Sequence, residues 1–440
     1  MSLAQQLATL IVSTRPAEEA RARARSGLLD FIAVTLPVVS GEIADSGLRS
    51  LRQVYRHHDS QTQALLLGYA GHALDFDDFH ADFRGHPGTV ILPALLALAA
   101  QQAAISGDDF LDAYVTGVEV AGRLGLAAGP QHYILGFHNT ATLGVIAAAA
   151  ASARLLDAST EQTAVILGLA ATQASGLRAQ FGSAVKPLHA GLAAQAAVSA
   201  TLLTLAGFDG QPQQVLESFL HAYCAGQQQP QKLTASWGEP WRIVAPGLEF
   251  KPYPTCSGTH SAADAARQLR TAWLQQGNSI AALAAAIQRI DIAFPPGGDI
   301  AAFIRHPQNG VEARFSLEYV VAIALLRDNL RVGDFAEGPL DAEIAALAEK
   351  VVRCPDKSAP PDELNPGQRF HQVTLWLSSG ERLQQRVTRQ QSLAIPLDLT
   401  NKLRSCLPNR SESQLQQIVT RSQLHAADDL PALCAWLTVK

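Results

Sequence analysis

Up to about residue 250, apolar positions recur at the three- and four-residue spacing that gathers them on one face of an α-helix. The pattern predicts helices over Ala22–Val34, Gln61–Ala73, Ile91–Ala104, Asp108–Ala128, Ala141–Leu156, Glu161–Ala174 and Leu188–Ala206, separated by short breaks rich in Gly or Asp. Ser106-Gly107-Asp108 supplies a helix start, because a serine oxygen can accept from the free amides of the first turn. After residue 260 the period changes. Ser261–Gln276 and Ile280–Ala285 are helical, but Ile287–Phe294, Val351–Cys354, His371–Leu377 and Arg382–Val387 alternate every second residue, as half-buried strands do. Ser378-Ser379-Gly380-Glu381 is a hairpin turn between the last two. Helical spacing returns from Pro396 to Lys440. The chain is therefore mainly α: an all-α helical domain over 1–260, a smaller α+β domain over 261–392, and C-terminal helices over 393–440 that return to the first domain.

Composition sharpens this picture. Hydrophobic residues make up 48% and charged residues 17%, with alanine runs such as Ala147–Ala153, so helices can pack with their backbones close together. Net charge is −5 and there is no basic block, which excludes a nucleic-acid surface. Leu188–Leu205 approaches the length of a membrane span, but His189, Gln195 and its alanine content favour a core helix, and no membrane association is expected. Met1–Arg15 does not read as a secretory leader, and five dispersed cysteines fit reduced thiols, so the expected compartment is the cytoplasm.

Chemistry concentrates between His72 and Pro93. There Asp75, Asp77, Asp78, Asp82, His72, His80, Arg84 and His86 are interleaved with Leu74, Phe76, Phe79 and Phe83. Charges at that density among aromatic rings need partners, because burying an unpaired charge is costly. Four other stretches set polar groups in turns: His132–Thr140, Phe181–His189, Lys251–His260 and Arg314–Tyr319. Each has a plainer reading. His138 could cap the helix that follows, Lys186 could be a surface lysine, His260 could sit at a helix start in solvent, and Tyr319 could be a core tyrosine. Together they supply cations to hold a carboxylate and groups to move a proton beside it. Asp75, Asp77, His72 and His80 could also gather around a metal, but no HExxH or paired Cys/His spacing supports that. The nucleotide-binding glycine motifs are absent.

Taken together, His72-Ala73-Leu74-Asp75-Phe76-Asp77-Asp78, Gly85-His86-Pro87, Gly136-Phe137-His138, Lys186-Pro187-Leu188-His189 and Gly258-Thr259-His260 resemble the MmgE/PrpD family. That family includes 2-methylcitrate dehydratase, cis-aconitate decarboxylase and iminodisuccinate epimerase, and the resemblance covers nearly the whole chain. It implies a large all-α domain with a smaller α+β lid, a homodimer, and a small di- or tricarboxylate handled between the domains without metal or organic cofactor. It implies Asp75, His86, His138, Lys186, His260 and Tyr319 as site residues. In that scheme His86 and His138 exchange protons, Asp75 orients an imidazole, Arg84, Lys186 and His260 hold carboxylates, and Tyr133 or Tyr319 is a second acid or base. Arg84-Gly85-His86-Pro87, His132-Tyr133 and Trp241–Leu248 are most similar to the epimerase branch. Phe79 stands where decarboxylase members carry threonine, and Tyr319 where epimerase members carry asparagine. The resulting expectation is an epimerase-like isomerase, with a decarboxylase- or dehydratase-like lyase as the alternative and a non-catalytic carboxylate binder behind both. Lys186→Ala is expected to lose most activity and spare the fold, and His189→Ala to act more through stability.

Overall fold

The computed structural model describes residues 1–102, 105–362 and 366–440, and it is mainly α-helical with a small mixed sheet. Expected helices form where the apolar spacing placed them. The one expected over Ile91–Ala104 runs Gly88–Ala99, and positions 103 and 104 lie outside the described residues.

Small residues set how closely the helices approach. Ala147–Ala151 of the Gly144–Leu155 helix are fully buried, and this helix packs against Gly88–Ala99, Gly107–Ile134 and Val185–Leu205. The Ser60–His72 helix, capped by Asp59 through the Thr62 amide, lies on Val185–Leu205 backbone to backbone. A Cβ on Gly68 would come within 2.8 Å of the Gly191 Cα, so no larger side chain fits there without a shift. The two helices run antiparallel, since Gly68 meets Gly191 while His72 meets Lys186. The end of one therefore delivers its histidine to the start of the other. Among the described residues Val185–Leu205 is the one helix long and apolar enough to cross a membrane, and more than half of that stretch is buried in the protein.

A second core is built on a four-stranded sheet in the order β4–β3–β5–β6, with β3 Ile287–Phe294, β4 Val351–Pro355, β5 Phe370–Leu377 and β6 Arg382–Thr388. β3 pairs parallel with β4 and antiparallel with β5, and β5–β6 is the expected hairpin. The helices His260–Gln275 and Leu317–Leu326 contribute to this core. Leu403, Cys406 and Leu407, by contrast, belong to the larger helical core. Lys402 shows how the tail is held there: its Nζ donates to Asp30 Oδ1 at 2.6 Å and to the Phe76 carbonyl at 2.7 Å.

One expectation is corrected. The region before residue 250 is not free of strand: β1 Phe79–His80 pairs antiparallel with β2 Leu248–Glu249. A ladder of two residues is too short to leave an alternation in the sequence. It nevertheless ties the acidic stretch to the segment that leads into Lys251.

Candidate active site

The Ser60–His72 helix ends in a chain that turns sharply. Asp75 and Arg84 both take left-handed backbone conformations, at φ 51° and 52°, which few non-glycine residues adopt. Asp75 Oδ1 accepts from Lys186 Nζ at 2.6 Å, Oδ2 lies 3.2 Å from Lys251 Nζ, and Lys251 also donates to the Asp75 carbonyl at 2.7 Å. Burial pushes the Asp75 carboxyl up, but Lys186 and Lys251, with His86 and His72, outweigh it and hold the group well below the usual range.

The hydrogen bonds fix two imidazoles. His72 Nε2 lies 2.7 Å from Lys186 Nζ, which can only donate when protonated, so Nε2 accepts and Nδ1–H donates to Asp77 Oδ2 at 2.8 Å. His86 Nδ1 lies 2.6 Å from the Asp78 carbonyl. A carbonyl only accepts, so Nδ1 carries the hydrogen and Nε2 keeps its lone pair. Burial, reinforced by Lys251, His72 and Lys186 against the pull of Asp77, holds His86 well below the ordinary imidazole value and therefore neutral. The His86 and His138 rings lie 4.7 and 5.8 Å from that of His72. His138 does not cap its helix. Its Nδ1 meets His189 Nδ1 at 3.2 Å, and its buried Nε2 has no hydrogen-bond partner among the described residues.

These groups face a cavity of about 440 Å³, whose walls include Asp75, Arg84, His86, Tyr133, His138 and Lys186. Phe79 lies edge-on to His86 at 5.7 Å, and the Arg178 guanidinium sits 4.1 Å over the Tyr133 ring. Lys232, Arg369 and Arg389 also line the cavity. Arg369 is paired with Asp362 and Arg389 with Glu249.

Two expected site residues do not line the cavity. His260 is buried beside it, with Nε2 3.1 Å from the Thr255 carbonyl, and burial lowers it to about 3, so it offers no cation to a carboxylate. Tyr319 is 1% exposed in the core of the smaller unit and packs edge-on to Phe335. Its apolar helix faces that core, and Phe315, one turn earlier, reaches the cavity instead. Conversely, the sequence did not single out Lys251, which lines the cavity, and it offered His72 and Asp77 only as possible metal ligands. Lys251 stands in a proline-rich segment, where nothing local separates an interior lysine from a surface one.

His72, Asp77 and His86 offer ligand atoms within 4.8 Å of one another, the spacing of a metal site. Both ring nitrogens of His72 are already engaged, Nδ1 by Asp77 and Nε2 by the Lys186 ammonium, so the geometry reads as hydrogen bonding.

Residues 2–231 match the MmgE/PrpD N-terminal domain and residues 253–425 the MmgE/PrpD C-terminal domain. Cis-aconitate decarboxylase of Homo sapiens is 30% identical over 310 residues, covering 68% of this chain and 62% of that protein. The mouse (Mus musculus) enzyme of the same name is 31% identical over 296 residues, 66% of this chain and 59% of that protein. That of Aspergillus terreus is 28% identical over 283 residues, 60% and 57% of the two chains. The chain thus spans about three fifths of the length of these curated relatives.

Proposed function

The chain belongs to the MmgE/PrpD family, and on that premise we propose an enzyme of lyase or isomerase type that moves a proton at a carbon beside a carboxylate of a small di- or tricarboxylate. The observation that carries this is the tautomer of His86. With Nδ1–H committed to the Asp78 carbonyl, a neutral Nε2 is left for the cavity, in the same chamber as Lys186. In this scheme His86 Nε2 takes the proton from the carbon, and the electron pair spreads onto the adjacent carboxylate. Lys186 and Arg84 oppose that charge. Return of a proton to the opposite face, from His138 or Tyr133, inverts the carbon. Tyr319 takes no part.

The finer reading is epimerisation of a four-carbon dicarboxylate unit carried on an amine, as in iminodisuccinate. Phe79 offers an apolar ring beside His86, while Arg84 offers a planar donor to a carboxylate. A second reading, decarboxylation of cis-aconitate, is favoured by the names of the curated relatives. There the carbon–carbon bond breaks to release carbon dioxide, and the resulting carbanion takes the hydroxyl proton of Tyr133, which is restored from solvent. Purified protein offered each compound separately, followed by optical rotation, proton NMR in deuterium oxide and carbon dioxide release, separates the readings. Rapid carbon dioxide release without stereochemical exchange would make decarboxylation the function, and no exchange at any carbon of either compound would overturn the proton-transfer scheme.

A further inference from the structure

Behind Lys186 lies a second, smaller cavity that the reaction scheme leaves unused. It measures about 50 Å³ and shares Asp75, Lys186 and Phe315 with the main cavity. Its other walls include His72, Arg314, Tyr69, Asp45 and Glu337. One water needs ~10–15 Å³ of such space, so a short file of water fits. The lining asks for it: among the described residues Arg314 Nε is buried without a hydrogen-bond partner, and Asp75 Oδ2, though 3.2 Å from Lys251 Nζ, accepts no hydrogen bond, in residues 5% and 3% exposed. At the far end Tyr69 Oη donates to Asp45 Oδ1 at 2.9 Å, and Asp45 is only half-buried. The exposed Glu337 accepts from Ser46 next to it. Gly47 makes room for the hydroxyl, since a Cβ there would stand 1.9 Å from Tyr69 Oη.

We propose that this cavity is a water-filled proton route from the Lys186–His72–Asp75 cluster to solvent, with Tyr69 as its relay and Asp45 and Glu337 at its outlet. The proposal rests on the proton-transfer reading above. Lys186, Asp75 and His72 are at most 4% exposed, and a substrate seated in the main cavity closes their other side. The proton His86 takes from the carbon at Nε2 is offset by release of its Nδ1 hydrogen toward Asp77 Oδ2, 3.3 Å away, which also accepts from His72 Nδ1. His72 Nε2 and Lys186 Nζ carry the charge on to water, and water passes a proton to Tyr69 Oη. Tyr69 hands its own hydrogen to Asp45, so each proton entering the file is matched by one leaving it. Tyr69 and Glu337 are positioning residues, since neither touches substrate.

Two measurements test this. A crystal structure of the unliganded protein should show ordered water joining Tyr69 Oη to Asp75 Oδ2 or Arg314 Nε, and a dry cavity overturns the proposal whatever the substrate proves to be. On the substrate turned over by the wild type, Tyr69→Phe should lower kcat about tenfold with KM unchanged and raise the solvent deuterium isotope effect on kcat. Glu337→Gln, a milder change at the surface, should move both in the same direction. A Tyr69→Phe protein with the wild-type isotope effect also overturns it. If the wild type turns over none of the di- and tricarboxylates, the functional reading falls and the water structure alone decides the route.

Discussion

Lys186 Nζ and Asp75 Oδ1, 111 positions apart in sequence, meet at 2.6 Å in a site where the lysine is 4% and the aspartate 3% exposed. This pair is structural as well as chemical, which alters the expectation that Lys186→Ala spares the fold. Removing one member of a buried ion pair typically costs ~3–5 kcal/mol. Lys251 remains on the other oxygen, so Lys186→Met should fall at the low end of that range. Activity should fall about 10²–10³-fold, as when one donor to a developing anion is removed. Urea unfolding and initial rates check both, and an unchanged unfolding midpoint would show that the pair contributes no stability.

His86→Asn keeps an N–H that can reach the Asp78 carbonyl and removes the free imidazole nitrogen. We expect kcat to drop about 10²–10⁴-fold, the usual contribution of a positioned base, with a native circular dichroism spectrum. Loss of substrate binding with kcat intact would move His86 from proton transfer to binding.

His189 bonds to the ring of His138, and it is half-buried in the first turns of the Val185–Leu205 helix. His189→Leu removes one hydrogen bond worth ~1 kcal/mol, about fivefold in rate if it acts in the transition state. The acidic limb of the pH–rate profile should shift as His138 loses that partner. A profile superimposable on wild type, with the loss seen only in stability, would restore the purely structural role.

Acid should destabilise this protein early. His72, His80, His86 and His138 lie below the ordinary value of 6.5, with burial the first cause. Burial brings His132 and His189 to about 4 and His260 and His371 to about 3. Below pH 6.5 the unfolded chain binds protons that the folded chain refuses, so stability present above 6.5 is lost as pH falls toward 4. Each proton of difference is worth ~1.4 kcal/mol per pH unit. Asp75 and Asp77, held below 3.8, add a loss in still stronger acid. Asp30, Asp45, Asp78 and Asp264, raised from 3.8, and Glu249, raised from 4.5, work the other way between those values and their folded ones. The imidazoles outnumber them, so the urea midpoint should decline steadily from pH 7 to 5, and a flat profile would sink the assignment of neutral buried histidines.

Lys402 is the buried counter-charge of Asp30, with both side chains 1% exposed, and it also lies 4.1 Å over the Phe76 ring. Lys402→Met should cost ~3–5 kcal/mol, and adding Asp30→Leu should recover much of it, because the uncompensated charge is then gone. A double variant no more stable than the single one would place the cost in lost packing around Phe76.

Periodicity made the elements legible. A three-to-four spacing or a strict alternation reports which face of a segment is buried, and that is local information. The helices around Gly88–Ala99 and Val185–Leu205 and the strands β3 to β6 were all readable in this way. The density of charge among rings near Asp75 likewise announced an interior site, because desolvation without partners is costly. The partners themselves could not be read. That Lys186 answers Asp75 and His72 depends on two helices crossing at Gly68 and Gly191. Lys251 arrives from 176 positions away. The protonation of His86 is set by the main-chain carbonyl of Asp78, a group every residue carries and no sequence pattern marks. Tyr319 turned out to be core for the matching reason: its helix is buried on all sides, and only the packing around it determines which side meets the cavity. Burial is patterned along the chain, whereas hydrogen-bond partnership is fixed by ångström-scale positions that exist only once distant segments have packed.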